Sequence, residues 1–320
     1  MDWNLIFYTF TDNELEVGSF KDLAKLTSIR HDYNNVTINI LLDTNTMGSY
    51  RIKIAGDPYS CDAIRMTRLS SLNMSKMETL TSFLTESVSM VAAKHVVLIL
   101  GGHGAGWYLL TETASVMSMR CLANAISASG IHLDLLCFDV CLLANLESLY
   151  TLRHVTDFII AYEDYAGWNG IIEPQTLEIF SRQRDPLTVA KSLAENLIAT
   201  LTDKDDPTDV SVLSAVDVDS LGKFIKGCVL RKPTDGSACI DPNYWQLQDL
   251  FEVVKGSLSG EEFRTFEELF KRVVLFYKQS RNKNNPKHHG LSCIVDPDKD
   301  IYDTSQAWKQ LDLLLSFSPN

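Results

Sequence analysis

Two short clusters hold residue types that can do nucleophilic chemistry. In VVLILGGHGAGW an apolar run from Val96 to Leu100 leads into Gly101, Gly102, His103, Gly104, Ala105, Gly106 and Trp107. In LDLLCFDVCLLANLE the run Leu133–Phe138 leads into Asp139, Val140 and Cys141, and the pattern predicts a helix from Leu142 onward. A cysteine where a strand gives way to a helix would sit at the positive end of the helix dipole, which favours thiolate. An imidazole in reach can take the thiol proton and return it to a leaving amine. The glycines beside His103 let a substrate backbone come close and leave an N–H for an oxyanion, with the Gly104 and Cys141 amides the natural donors. On these residues alone, a plainer reading stands at parity. His103 would then be a histidine in a glycine turn, and Cys141 a buried thiol of the kind Cys137 resembles.

The elements that must position the pair read as strands alternating with helices. Near-continuous apolar runs predict strands at Leu5–Phe10, Val36–Leu42, His95–Leu100, Leu133–Phe138, Phe158–Tyr162, Val210–Ala215 and Leu291–Val295, as expected where both sheet faces are covered. Helical patterns fall at Met74–Ala92, Met117–Ala128, Leu142–Leu152, Pro186–Leu201, Ser220–Val229, Tyr244–Val254 and Glu261–Gln279. That alternation implies a parallel α/β sheet wrapped by helices. The carboxyl edge of such a sheet is the ligand crevice, and adjacent strands would deliver His103 and Cys141 to it.

Composition narrows the classes. With 41 acidic and 29 basic residues the 320-residue chain has a net charge of -12, which argues against broad contact with a phosphate backbone. The seven cysteines are scattered, odd in number and without a CxxC pair, so neither a disulfide framework nor a zinc ribbon is indicated and a reducing compartment fits. The opening apolar run is short, broken by Asn4 and preceded by Asp2 rather than a basic residue. It reads as neither secretory signal nor membrane span, so the expected location is intracellular, or secreted if a leader has been removed.

HGAGW followed by FDVCLLANLE resembles the clostripain family of cysteine peptidases, relatives of caspases, gingipains and legumains. The likeness continues through WNLIFYTFTDNELE, the Leu72-Asn73-Met74 segment, TDFIIAYEDYAGWNG, VSVLSAVDVDSL and HGLSCIVDP, and Trp308 sits in a similar final helix. It implies a caspase-like α/β/α sandwich with a mostly parallel central sheet and a helix-rich C-terminal half. It also implies Cys141 as nucleophile, His103 as general acid/base, and Gly104 with the Cys141 amide as the oxyanion hole. The chain is expected to form a single unit over residues 1–320, with a catalytic core at 1–170 and an accessory part at 171–320 that returns Leu291–Val295 to the sheet.

The resemblance also implies cleavage after Arg or Lys, with an acid two residues before the cysteine. Asp139 matches, although it would equally cap a helix beginning near Leu142. A second acid is expected in the Gly-Trp loop, where Trp168 is followed by Asn169; Glu163 or Asp164 could substitute. The segment between the histidine and cysteine strands has Arg120 as its only basic residue, in a predicted helix, so activity without processing is the preferred reading. Some relatives depend on calcium; the acidic stretches Asp203–Asp209 and Asp296–Asp300 are candidates, but neither fits an EF-hand, so no cofactor is required and no metal ligand is assigned. His288-His289 reads as a surface pair. Partners are therefore peptides or proteins with basic residues, with no nucleic acid or membrane, and oligomerisation is not implied. Two competing readings remain. One is a catalytically silent caspase-like binding or regulatory protein. The other, a nucleotide-binding protein using GGHGAG as a phosphate loop, is weak because the spacing gives no GxGxxG and no P-loop lysine follows.

Overall fold

The computed structural model describes residues 1–28, 35–55, 64–112, 115–167, 170–171, 174–201, 208–233, 238–240, 246–280, 287–295 and 307–318. Its centre is a nine-stranded sheet. Five strands run parallel in its middle, in the spatial order Thr156–Ala161, Leu133–Asp139, His95–Gly101, Trp3–Thr11 and Val36–Thr44. Antiparallel strands extend it at both sides, Gly48–Ala55 and Ile64–Arg68 at one and Asp209–Ser214 and Val274–Gln279 at the other.

Covered faces explain why the central strands read as unbroken apolar runs. Every residue of Trp3–Thr11 is buried, and successive side chains point to opposite cores. Ile6, Tyr8 and Phe10 enter one core with Leu80, Phe83 and Leu84 of the Met77–Ser89 helix and Leu122 and Ile126 of Met119–Ala128. Trp3, Leu5 and Phe7 enter the other, with Leu177 and Phe180 of Pro174–Arg182 and Leu193 and Leu197 of Pro186–Ala199. The result is the expected α/β/α sandwich. Among the described residues no helix is long and apolar enough to cross a membrane.

The C-terminal part departs from expectation in one respect. Leu291–Val295 does not rejoin the central sheet. Within it Ser292–Ile294 pairs antiparallel with Leu247–Asp249 in a separate ribbon. The edge strand is instead Val274–Gln279, which sequence periodicity had merged into one long helix from Glu261. That helix, Gly260–Val273, stops where Val274 turns to φ -86, ψ 91. VLFYKQ is rich in β-branched and aromatic residues, and a short apolar run of this kind fits a helix or a strand until an open sheet edge claims it. The ribbon has its own task. Ser292 N–H donates to Ala144 O at 2.9 Å, and Ile294 N–H donates to Glu147 Oε1 at 3.0 Å. The accessory part thereby supports the segment that follows Cys141.

Candidate active site

Strand register brings the two clusters together. His95–Gly101 and Leu133–Asp139 are parallel neighbours, with Gly101 opposite Asp139. His103 and Cys141 thus lie at the same offset past one register pair, at the carboxyl edge of the sheet. Beyond Gly101 the chain passes Gly102 at φ 145, where a side-chain carbon would lie 2.2 Å from the Phe10 ring. A glycine is required there both by conformation and by space. His103–Gly104 then pairs antiparallel with the Tyr108–Glu112 strand, His103 opposite Leu110 and Gly104 opposite Leu109. A side-chain carbon on Gly104 would come within 2.8 Å of Cys141 O, so the histidine hairpin abuts the cysteine backbone directly. Ala105 N–H donates to Tyr108 O at 3.2 Å. Antiparallel pairs alternate between bonded and non-bonded, so the Gly104 N–H points away from its partner strand.

Two features differ from expectation around Cys141. The helix begins at Leu146, with Asn145 as its cap, and not at Leu142. Cys141 therefore occupies a turn several residues before the helix, outside the reach of the helix dipole. Leu142 takes φ 66 in that turn. The turn is held by backbone bonds from Leu142 N–H to Asp164 O and from Ala144 N–H to Tyr162 O, both 2.9 Å. Asn145 ties both clusters: its Nδ2 donates to Gly106 O at 2.5 Å and its Oδ1 accepts from Ser148 N–H at 2.9 Å. The Cys141 thiol is partly buried. Burial pushes its pKa above the ordinary range, an Ala166 N–H donated to Sγ at 3.3 Å opposes this, and the charges of Asp164 and Asp139 add to the rise.

Sequence reasoning missed one neighbour. His103 Nε2 lies 2.8 Å from Glu14 Oε1, a residue of the TDNELE turn. Parallel pairing of Thr9 with Gly101 brings that turn beside the histidine. Glu14 is 75% exposed and His103 36%, so this is a solvent-facing contact. The available signal was an acid in the loop after a strand adjacent to the histidine strand.

The residues assigned to the substrate pocket divide. Asp139 is mostly buried; its Oδ2 accepts Ile171 N–H at 3.0 Å and sits where a side chain on Gly170 would intrude, 2.7 Å away. Burial raises its carboxyl to about 6, against the lowering effect of the Ile171 amide. It does not cap the helix; Asn145 does. Asp164 lies beside the cysteine turn, its Oδ1 accepting Tyr165 N–H at 2.9 Å. Trp168 and Asn169 lie outside the described residues. Glu163 is corrected: it is wholly buried, its Oε2 accepts Gly290 N–H at 2.9 Å, and it faces the interior rather than the cleft. His288 is corrected too, since it is 5% exposed and belongs to no surface pair. Of the two acidic stretches considered for calcium, Asp296–Asp300 and most of Asp203–Asp209 lie outside the described residues, and Asp209 itself is buried. Arg120 is helical as expected and forms an ion pair with Asp312.

The family model for the clostripain family matches residues 7–228, spanning His103, Asp139 and Cys141. The chain belongs to the clostripain family. It is accordingly a cysteine peptidase by family. Solved structures of clostripain-family (C11) proteases carry the same fold. A secreted C11 protease from Bacteroides thetaiotaomicron, bound to an irreversible peptide inhibitor, aligns with TM-score 0.75 at 16% identity over 97% of this chain and 96% of that one. An inactive zymogen from Parabacteroides distasonis aligns with TM-score 0.76 at 21% identity over the same shares. No curated protein matches.

Proposed function

We propose that this clostripain-family chain is an endopeptidase that cuts peptide bonds through a Cys141/His103 dyad, after Arg or Lys. The observation that carries the reading is the Gly101–Asp139 register pair, which projects His103 and Cys141 from one edge of the sheet. Because burial holds the thiol above its ordinary pKa, Cys141 rests as a thiol and not as a preformed ion pair. His103 then removes the proton as Sγ attacks the substrate carbonyl. The Ala166 N–H already directed at Sγ favours the thiolate as it forms. The Gly104 and Cys141 amides receive the tetrahedral oxyanion. Collapse expels the amine, which takes its proton from His103, and leaves a thioester. Water, deprotonated by His103, then attacks the acyl carbon and frees Cys141.

Asp139 supports the basic specificity. A mostly buried carboxylate two residues before the nucleophile gains a charge-assisted bond from a cationic side chain. A neutral side chain leaves it unpaired and desolvated. Asp164 is a second acid whose charge, like that of Asp139, acts on the Cys141 thiol. The test is hydrolysis of fluorogenic peptides with Arg, Lys, Asp, Asn or Leu before the scissile bond, comparing wild type with Cys141→Ala. Turnover after Arg or Lys, lost in the variant, supports the reading. Turnover after another residue removes the basic pocket but keeps the dyad. An unreactive Cys141 with no turnover overturns both.

A further inference from the structure

Away from the dyad, three segments converge on a buried point. Glu163 follows the Thr156–Ala161 strand, Asp209 opens Asp209–Ser214, and His288 precedes the ribbon at Ser292. Glu163 and Asp209 have no exposed surface and His288 has 5%. One potential ligand atom from each lies within 4.8 Å of the other two.

Hydrogen bonds hold the group in place. Asp209 Oδ1 accepts the Glu163 and Asp164 N–H groups at 3.0 and 3.2 Å, its Oδ2 accepts the Tyr277 hydroxyl at 3.3 Å, and that oxygen lies 4.0 Å from His288 Nδ1. Glu163 Oε2 accepts Gly290 N–H, while its Oε1, fully enclosed, accepts from no N–H or hydroxyl group. Asp249, also wholly buried, meets the Glu163 side chain at hydrogen-bond range and also accepts Glu252 N–H, His289 N–H and the His289 ring. Enclosing several carboxylates without a cation is costly, and an unpartnered buried carboxylate oxygen calls for an explanation.

We propose that Glu163, Asp209 and His288 bind a divalent first-row transition ion, zinc foremost, which fastens the accessory part to the end of the catalytic sheet. The donor set decides the class. An imidazole with carboxylates suits zinc or manganese, whereas calcium takes six to eight oxygens. At zinc bond lengths of about 2.0–2.2 Å ligand atoms lie about 3.4 Å apart, so a group whose atoms lie within 4.8 Å of one another would close by roughly 1 Å on binding. The site is independent of the dyad reading, and the ion would have a structural role.

The experiment uses the full chain with Cys141→Ala, which removes the competing thiol, and without a histidine tag. Chelator-treated protein is reloaded with Zn2+, dialysed and assayed by plasma mass spectrometry, with thermal unfolding in parallel. We expect about one zinc per chain, a melting temperature higher by several degrees with zinc, and loss of both in Glu163→Gln and in His288→Asn. Titration with Co2+ needs no further variant and should give the visible absorption of a nitrogen- and oxygen-ligated ion. Folded protein that takes up no zinc and gives no cobalt spectrum overturns the proposal. So does zinc uptake undiminished in Glu163→Gln.

Discussion

Replacing Asp139 by asparagine separates what this carboxylate does for the cleft from what it costs the fold. Burial raises its pKa from 3.8 to about 6. At about 1.4 kcal/mol per pKa unit, ionising it in the folded chain costs up to about 3 kcal/mol more than in the unfolded chain. The sign follows from linkage. Below about pH 3 the group is protonated in both states and contributes almost nothing. Between about pH 4 and 6 the folded chain keeps a proton that the unfolded chain has lost, so stability falls as pH rises. Above pH 6 the whole loss persists. Asparagine has the same shape and can still accept the Ile171 N–H through its Oδ1. Denaturant titration of Asp139→Asn against its parent, both with Cys141→Ala to prevent self-digestion, should show a gain near zero at pH 3. The gain should grow to at most about 3 kcal/mol by pH 7.5. In the active background, losing a buried charge partner costs about 2–5 kcal/mol, so kcat/KM after Arg should fall at least about 30-fold. Turnover of any Leu peptide should not change. A gain independent of pH, or a variant less stable than its parent at pH 7.5, would refute the burial argument. Arg turnover that survives would refute the pocket.

Four further outcomes rest on the same geometry. Gly102→Ala must fit a side-chain carbon against the Phe10 ring at φ 145; we expect a loss above about 3 kcal/mol, read as a collapsed melting temperature or insoluble protein. Asn145→Ala removes both the helix cap and the tie to Gly106 and should cost about 2–3 kcal/mol in chemical denaturation. Inactivation by iodoacetamide should keep accelerating through and above pH 9, since the Cys141 thiol is raised; a plateau below neutral pH would show a preformed ion pair instead. The exposed Glu14 contact predicts a mild effect: Glu14→Gln should change kcat by about threefold or less.

Local chemistry alone was enough to read the central strands and the two clusters. Continuous apolar runs identified the five central strands because both sheet faces are covered. The glycine-flanked His103 and the Asp139–Cys141 cluster were legible because each follows such a run. Assignments that depend on a neighbour were not. VLFYKQ became a strand because the Asp209–Ser214 strand offered an open edge, and Leu291–Val295 left the sheet because the cysteine turn offered a backbone partner at Ala144. The helix starts at Leu146 rather than Leu142 because backbone bonds from Leu142 and Ala144 to Asp164 and Tyr162 hold those residues in a non-helical turn. In sequence Glu163 reads as a candidate acid of the substrate pocket and His288 as half of a surface pair. Only the folded chain brings Asp209 and Tyr277 to enclose them, because long-range contact, not residue type, determines which charges leave water.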